Sequence, residues 1–405
     1  MKLKHLHYGW VTVIIATCLF AVQGIVVYTF GVFLIPLTTA FTWDRGVLSG
    51  AVSVAWLVSG LLAILSGRLS DRYGPRVLVT ISGLLVGAGF LLMSQIDSLW
   101  QVYLARGFLM GVGGACVFIP IMSTIPRWFA SKRGIAIGIV SAGFGLGGMF
   151  APPLAQWLIS GYGWRQAFLI LGLIVLAINV PLAQFMKHSP QRMGLKPYGE
   201  AEPTETKQPS AIEGVSFKQA IKTSRLWLFS VILAGFWFCM QVIIVHLAPY
   251  ATDIGIPAAI AASMLAVIGG CSVIGRLFMG FISDRVSSRV ALIACVTAAT
   301  LALIWLTFAK EIWMFYIFAV VFGIAYGAIV PLEITLPVKL FGLRSLGAIL
   351  GGIMFISTIG GALGAPVAGS IFDAKGSYDL ALLVSVIVSA LALILSLVLL
   401  RSKET

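Results

Sequence analysis

Charge is what this 405-residue chain has least of. Only 10% of its residues are Asp, Glu, Lys or Arg, while 60% are hydrophobic and the mean hydropathy is +1.03. Soluble domains carry roughly a quarter charged residues, so water is not the main solvent of this chain. Cysteine is scarce as well. The five residues Cys18, Cys116, Cys239, Cys271 and Cys295 all lie inside apolar stretches with no paired metal-ligand spacing. They read as small packing residues, and neither a disulfide framework nor a metal centre is expected. The apolar stretches hold no cluster of His and Asp and no nucleophile–base pair, which argues against an enzyme. The 44 glycines come without a Walker lysine pattern, so no nucleotide or other cofactor is expected.

Long apolar runs are abundant. A bilayer core is about 30 Å thick and takes about 20 apolar residues per helical crossing. Twelve such runs can be marked, at roughly 8–37, 46–67, 77–95, 98–125, 134–160, 164–186, 225–252, 257–282, 290–309, 311–337, 345–371 and 377–400. The first runs far beyond a signal-peptide core and lacks a cleavage site, so it is expected to be retained. The one long polar stretch, His188 to Lys222, is rich in Pro, Glu, Lys and Gln and has too little apolar surface for a core. It separates six spans (1–187) from six (223–405) and is expected to be a cytoplasmic linker over 188–222.

The net charge of +13 invites a nucleic-acid reading, but its placement opposes one. With the N-terminus on the cytoplasmic side, 21 of the 27 Lys and Arg fall inside, including Arg68, Arg72, Arg76, Arg127 and Arg133. Only four, Arg45, Arg165, Lys310 and Lys375, fall outside, and Arg106 and Arg276 stay within spans. This bias predicts cytoplasmic termini by the positive-inside rule. The expected location is the cell's inner (plasma) membrane.

The two halves echo each other. Gly67-Arg-Leu-Ser-Asp71-Arg72 follows span 2 and Gly280-Phe-Ile-Ser-Asp284-Arg285 follows span 8; Pro120 and Pro126 bracket the end of span 4 as Pro331 and Pro337 do that of span 10; Ala151-Pro152 answers Ala365-Pro366. The offsets of 213, 211 and 214 fit one duplication. The expected fold is an all-α membrane protein, twelve helices in two six-helix bundles related by a pseudo-two-fold axis. Such transporters place their substrate near the midplane between the halves.

Gly67-Arg-Leu-Ser-Asp71-Arg72-Tyr-Gly74-Pro-Arg76 resembles the loop 2–3 signature of the major facilitator superfamily. The resemblance implies that Asp71 and Arg72, with Asp284 and Arg285 in the second half, latch one conformation on the cytoplasmic side. Within that superfamily, the segment from Trp128 to Gly143 resembles the helix 5 signature of the monocarboxylate transporter family, and Tyr8-Gly9-Trp10 is similar to its first signature without the leading acidic residue. Gly194-Leu195-Lys196-Pro197 and His246-Leu-Ala-Pro249-Tyr250 resemble bacterial members. That branch includes proton-linked lactate and pyruvate carriers and, more distantly, oxalate–formate exchangers.

Ionisable residues inside spans are costly, about 2.5–3.5 kcal/mol each at the centre on insertion scales. The spans hold Arg106, Arg276 and Glu333, with His246 as a titratable companion. Arg276 has no acidic residue near it in its own span, and a guanidinium fork matches a carboxylate bidentately. The family's helix 8 arginine, its carboxylate anchor, falls on Arg276; a purely structural arginine is the competing reading. The family's Asp one turn earlier is replaced here by Ser272, its helix 1 lysine by Tyr28, and the second cation of oxalate-type exchangers is absent from 345–371. Tyr28 and Tyr326 lie near mid-span and are expected beside the anion, or else simply packed. His246 is expected to take a proton from outside or to gate that entrance, or else to be a hydrogen-bonded helix-end histidine. Arg106, followed by four glycines through Gly114, reads as structural or coupling, and Glu333 as an interfacial partner of Lys339 or a helix-end arginine, with a proton-relay role as the competing reading.

These residues point to a carrier of small monocarboxylates, lactate- or pyruvate-like, with a proton as co-substrate and the lipid bilayer as solvent, working as a monomer. Anion exchange of the oxalate–formate type and a non-transporting carboxylate sensor are the competing readings.

Overall fold

A computed structural model describes residues 7–199, 215–282, 287–342 and 345–401. The Asp284–Arg285 pair and the middle of the linker lie outside the described residues. Helices dominate because a chain in hydrocarbon must satisfy its backbone polar groups within each segment. The first bundle comprises α1 (Tyr8–Phe41), α2 (Arg45–Tyr73), α3 (Pro75–Met93), α4 (Leu99–Trp128), α5 (133–162) and α6 (164–184). The second comprises α7 (Ser224–Asp253), α8 (Ala258–Ile282), α9 (Ser288–Thr307), α10 (Ile312–Phe341), α11 (Leu346–Lys375) and α12 (Asp379–Arg401).

The twelve expected spans are present, with two local differences. Helices α5 and α6 form one 52-residue run, Arg133–Gln184, broken only at Gly163, whose φ of 81° suits a residue without a Cβ. Helix α4 contains a π-helical turn, Tyr103–Leu109, around Arg106. Some helices also outrun their apolar stretches. Helix α2 continues past Gly67 through Asp71 to Tyr73, so the polar loop signature is itself largely helical.

Chain direction alternates, so the starts of the odd-numbered helices share one end of the molecule, here called the terminal end, with the loops after α2 and α8. The opposite, far end carries the loops after α1 and α7. Within each bundle the same helix pairs are drawn together: α1 lies on α5 and α7 on α11. The bundles meet through α2 against α11 and α5 against α8, with a lesser contact of α1 on α7. Large apolar side chains such as Phe150, Phe281 and Phe308 stand exposed, as lipid-facing residues do.

The α5–α8 contact is backbone against backbone. A Cβ on Gly269 would sit 2.5 Å from the Met149 nitrogen, and one on Gly145 would sit 2.6 Å from Ser272 Oγ. Small residues at these positions allow the close approach. At the far end the bundles also touch, Gly46 of α2 lying on Ser370 of α11. At the terminal end, among the described residues, a Cβ on Gly134 or Gly138 of α5, or on Gly347 or Gly351 of α11, would meet nothing within 4 Å. The described residues thus hold the bundles together at the far end and leave free space beside these glycines at the terminal end.

The glycine contact predicts that Gly269→Val lowers thermal stability in detergent, by the roughly 1–3 kcal/mol of an overpacked core or more, because the obstacle is backbone and cannot rotate away. An unchanged unfolding temperature by intrinsic fluorescence would contradict this packing.

Candidate functional site

Arg276 sits on α8 where that helix touches both bundles. Its side chain is 2% exposed. Nη1 donates to Ser272 Oγ, one turn earlier, at 2.7 Å, and that hydroxyl donates to the Gly269 carbonyl at 2.7 Å. The guanidinium lies 5.1 Å from the ring centre of Tyr326 on α10 and 5.6 Å from that of Phe144 on α5. Its Nε is buried without a hydrogen-bond partner, and it forms no ion pair among the described residues. Aromatic faces offset part of the desolvation of a cation, but not as a carboxylate would.

Tyr28 and Tyr326 both lie in this site. Tyr28 is fully buried, packed edge-on to Phe144 at 5.8 Å, and its hydroxyl is buried without a hydrogen bond of good geometry. Tyr326 stacks on Phe236 and meets Trp237 edge-on at 6.1 Å. Trp237 in turn packs on Trp56 of α2, 5.2 Å between ring centres, so the aromatic wall crosses from one bundle to the other.

Glu333 departs from its expected place. It is no surface partner of Lys339 or a helix-end arginine: it is buried, and Oε1 accepts a 2.6 Å hydrogen bond from Trp237 Nε1. The reason is the turn spacing of α10, since residue 333 lies seven positions after Tyr326 and therefore on the same face. The sequence flagged Glu333 as an ionisable residue in a span, but nothing in it linked that residue to Trp237 on another helix.

His246 and Arg106 have surroundings of their own. His246 is buried at the far end, with Nδ1 2.9 Å from the Tyr378 hydroxyl, Nε2 2.8 Å from the Ala365 carbonyl oxygen and 3.4 Å from Ser49 Oγ of the other bundle. It belongs to a clamp the sequence did not reveal. Arg45 of α2 donates from Nη1 and Nη2 to the two oxygens of Asp253 on α7, at 2.5 and 2.9 Å, and lies 3.8 Å from the Phe372 ring centre. Asp373 of α11 accepts from the backbone nitrogens of Arg45 and Gly46, at 3.0 and 2.7 Å, at the start of α2. Arg45 had counted only as a topological charge. Arg106 is buried in its π-helical turn, 5.2 Å from the Phe30 ring centre.

The last turn of α2, Asp71 to Tyr73, is exposed. Asp71 pairs with Arg127 at the end of α4, 2.7 Å apart, within the first bundle. Arg72 lies over Tyr73, and Gly67 packs against Ile119 of α4.

Two bundles joined around a buried cation, held together at one end with free space at the other, define a membrane transporter. Residues 16–293 and 249–405 match the Major Facilitator Superfamily, and the chain belongs to that family. It is 28% identical to monocarboxylate transporter 13 of Rattus norvegicus, over 93% of this chain and 86% of that protein. It is 29% identical to monocarboxylate transporter 11 of Homo sapiens, over 93% and 80%, and 27% identical to an uncharacterized MFS-type transporter, YcxA, of Bacillus subtilis (strain 168), over 91% and 90%. Among solved structures, a bacterial homolog to the human lysosomal transporter Spinster, in its inward-facing and unoccupied conformation, superposes with a TM-score of 0.74 at 18% identity, over 98% of this chain and 99% of that one.

The far-end clamp predicts that Asp253→Asn removes a charge-assisted, partly buried pair worth about 1–2 kcal/mol. That shifts the closed-to-open ratio about 5–30-fold. A cysteine placed at Ser53 of α2, whose hydroxyl donates to the Ala362 carbonyl of α11 across the same contact, should then react correspondingly faster with a membrane-impermeant maleimide, and an unchanged rate would mean that the pair does not hold this end shut.

Proposed function

We propose that the chain is a secondary active carrier of small monocarboxylates of the lactate or pyruvate type, moving them together with a proton by alternating access. The observation that carries this reading is Arg276, a buried guanidinium between two bundles with a free Nε and no carboxylate partner among the described residues. A monoanion supplies the missing counter-charge and a bidentate acceptor. Tyr28 and Tyr326 flank the anion, their hydroxyls oriented by its binding. The similarity to mammalian monocarboxylate transporters supports a monocarboxylate cargo.

With the basic terminal end in the cytoplasm of a plasma membrane, the described state is inward-open, and the protein works as a monomer. The Arg45–Asp253 clamp and His246 form the outer gate; His246 is held by Tyr378 and Ala365 of its own bundle and lies 3.4 Å from Ser49 of the other, which supports gating over proton uptake. Arg106 couples movements within the first bundle, and Gly67, Asp71 and Arg72, with Asp284 and Arg285 as counterparts, latch the inner side in the opposite state. A proton moving with a monoanion transfers no net charge, so the pH gradient and not the voltage drives uptake. Exchange of one anion for another is the second reading, favoured by Ser272 at the place where the family it resembles holds an acid.

Arg276→Lys keeps the charge and removes the fork. Losing one charge-assisted bond of about 1.5–3 kcal/mol should lower kcat/KM for lactate roughly 10–100-fold in proteoliposomes. Near-normal uptake by this variant would sink the anchor assignment.

A further inference from the structure

The missing acid at position 272 leaves the proposed symport without a proton site, while α10 holds a buried carboxyl that no role yet explains. We propose that Glu333 carries the transported proton, sharing the positive charge of Arg276 with the substrate; this rests on the carboxylate reading above. Glu333 lies on the same face of α10 as Tyr326, two turns or about 10 Å nearer the open end. One oxygen is fixed by the Trp237 indole, and the residue keeps 8% of its surface exposed, enough for exchange with water at the open mouth. Arg276 packs against Tyr326, which shares that face of α10, 5.1 Å from its ring centre. The other elements around α10 add little charge: α7 presents the neutral indole of Trp237, α9 carries Arg289 and Cys295, and α11 has no ionisable residue between 346 and 371.

The coupling follows from charge balance. Whenever Glu333 is ionised, its carboxylate offsets part of the charge of the Arg276 cation. When a substrate anion binds Arg276, that compensation moves to the anion, and a second buried negative charge becomes too costly to keep. Glu333 then takes a proton from water at the open mouth. The site gains one anion and one proton, its net charge is unchanged, and both leave together. Trp237 holds the carboxyl in either protonation state, and its packing on Trp56 ties that carboxyl to the contact between bundles.

The test uses the full-length protein in liposomes, with L-lactate as probe. Glu333→Gln should retain lactate counterflow within about threefold while losing at least tenfold in lactate-coupled proton influx and in accumulation driven by a pH gradient. Its lactate affinity should also lose the pH dependence of the wild type. Should the variant fold poorly, the wild type alone decides: adding lactate should produce a protonated-carboxyl stretch in the infrared difference spectrum. Full proton-coupled accumulation by Glu333→Gln, or no carboxyl signal in the wild type, overturns the proton assignment and leaves the anchor intact. Absence of any lactate uptake or counterflow by the wild type defeats the carboxylate reading itself, and this assignment with it.

Discussion

A guanidinium buried between two helical bundles, with no carboxylate among the described residues bonded to it, is the constraint on which the rest of this molecule depends. A cation in hydrocarbon is costly, and the chain meets that cost with weak partners: one serine hydroxyl and two aromatic faces. None of them saturates the charge. On the proposed reading, the site is poised between incomplete internal compensation and full compensation by a bound anion, the condition a carrier needs to bind and release in turn.

The packing around that charge is correspondingly close. Helix α8 touches α5 through glycine and serine, so the guanidinium reaches Phe144 of the opposite bundle without leaving its own. The same narrow contact leaves little side-chain interdigitation to break when the bundles rock. Fastening is concentrated instead at the far end, where Arg45, Asp253, Asp373, Tyr378 and His246 join across the interface. The contrast between a smooth middle and a polar clamp explains how one end opens while the other stays shut.

Much of this was legible in the sequence. The twelve apolar runs, the repeat offsets and the charge sorting specify the two-bundle fold, and scarcity singled out Arg276, because few ionisable residues occur within spans. Tyr28 and Tyr326 could be placed beside it by their mid-span depth. What could not be read were contacts between helices distant in the chain. Glu333 looked like a helix-end residue because its depth was judged along α10 alone, whereas its burial comes from Trp237 on α7. Arg45 looked like a loop charge because its partners lie 208 and 328 positions away. Periodicity reports one helix at a time and is silent about which neighbour a face will meet.

The start of α2 shows what that silence conceals. Its own N-cap residue, Asp44, makes no side-chain capping bond, and the first amides are held by Asp373 from the other bundle. A helix N-terminus carries about half a positive charge, so separation of the bundles strips α2 of a borrowed anion. Asp44 stands at the position from which an aspartate ordinarily supplies one. The helix thus has a lender and a substitute, and the gate can part without leaving a raw dipole at the membrane surface.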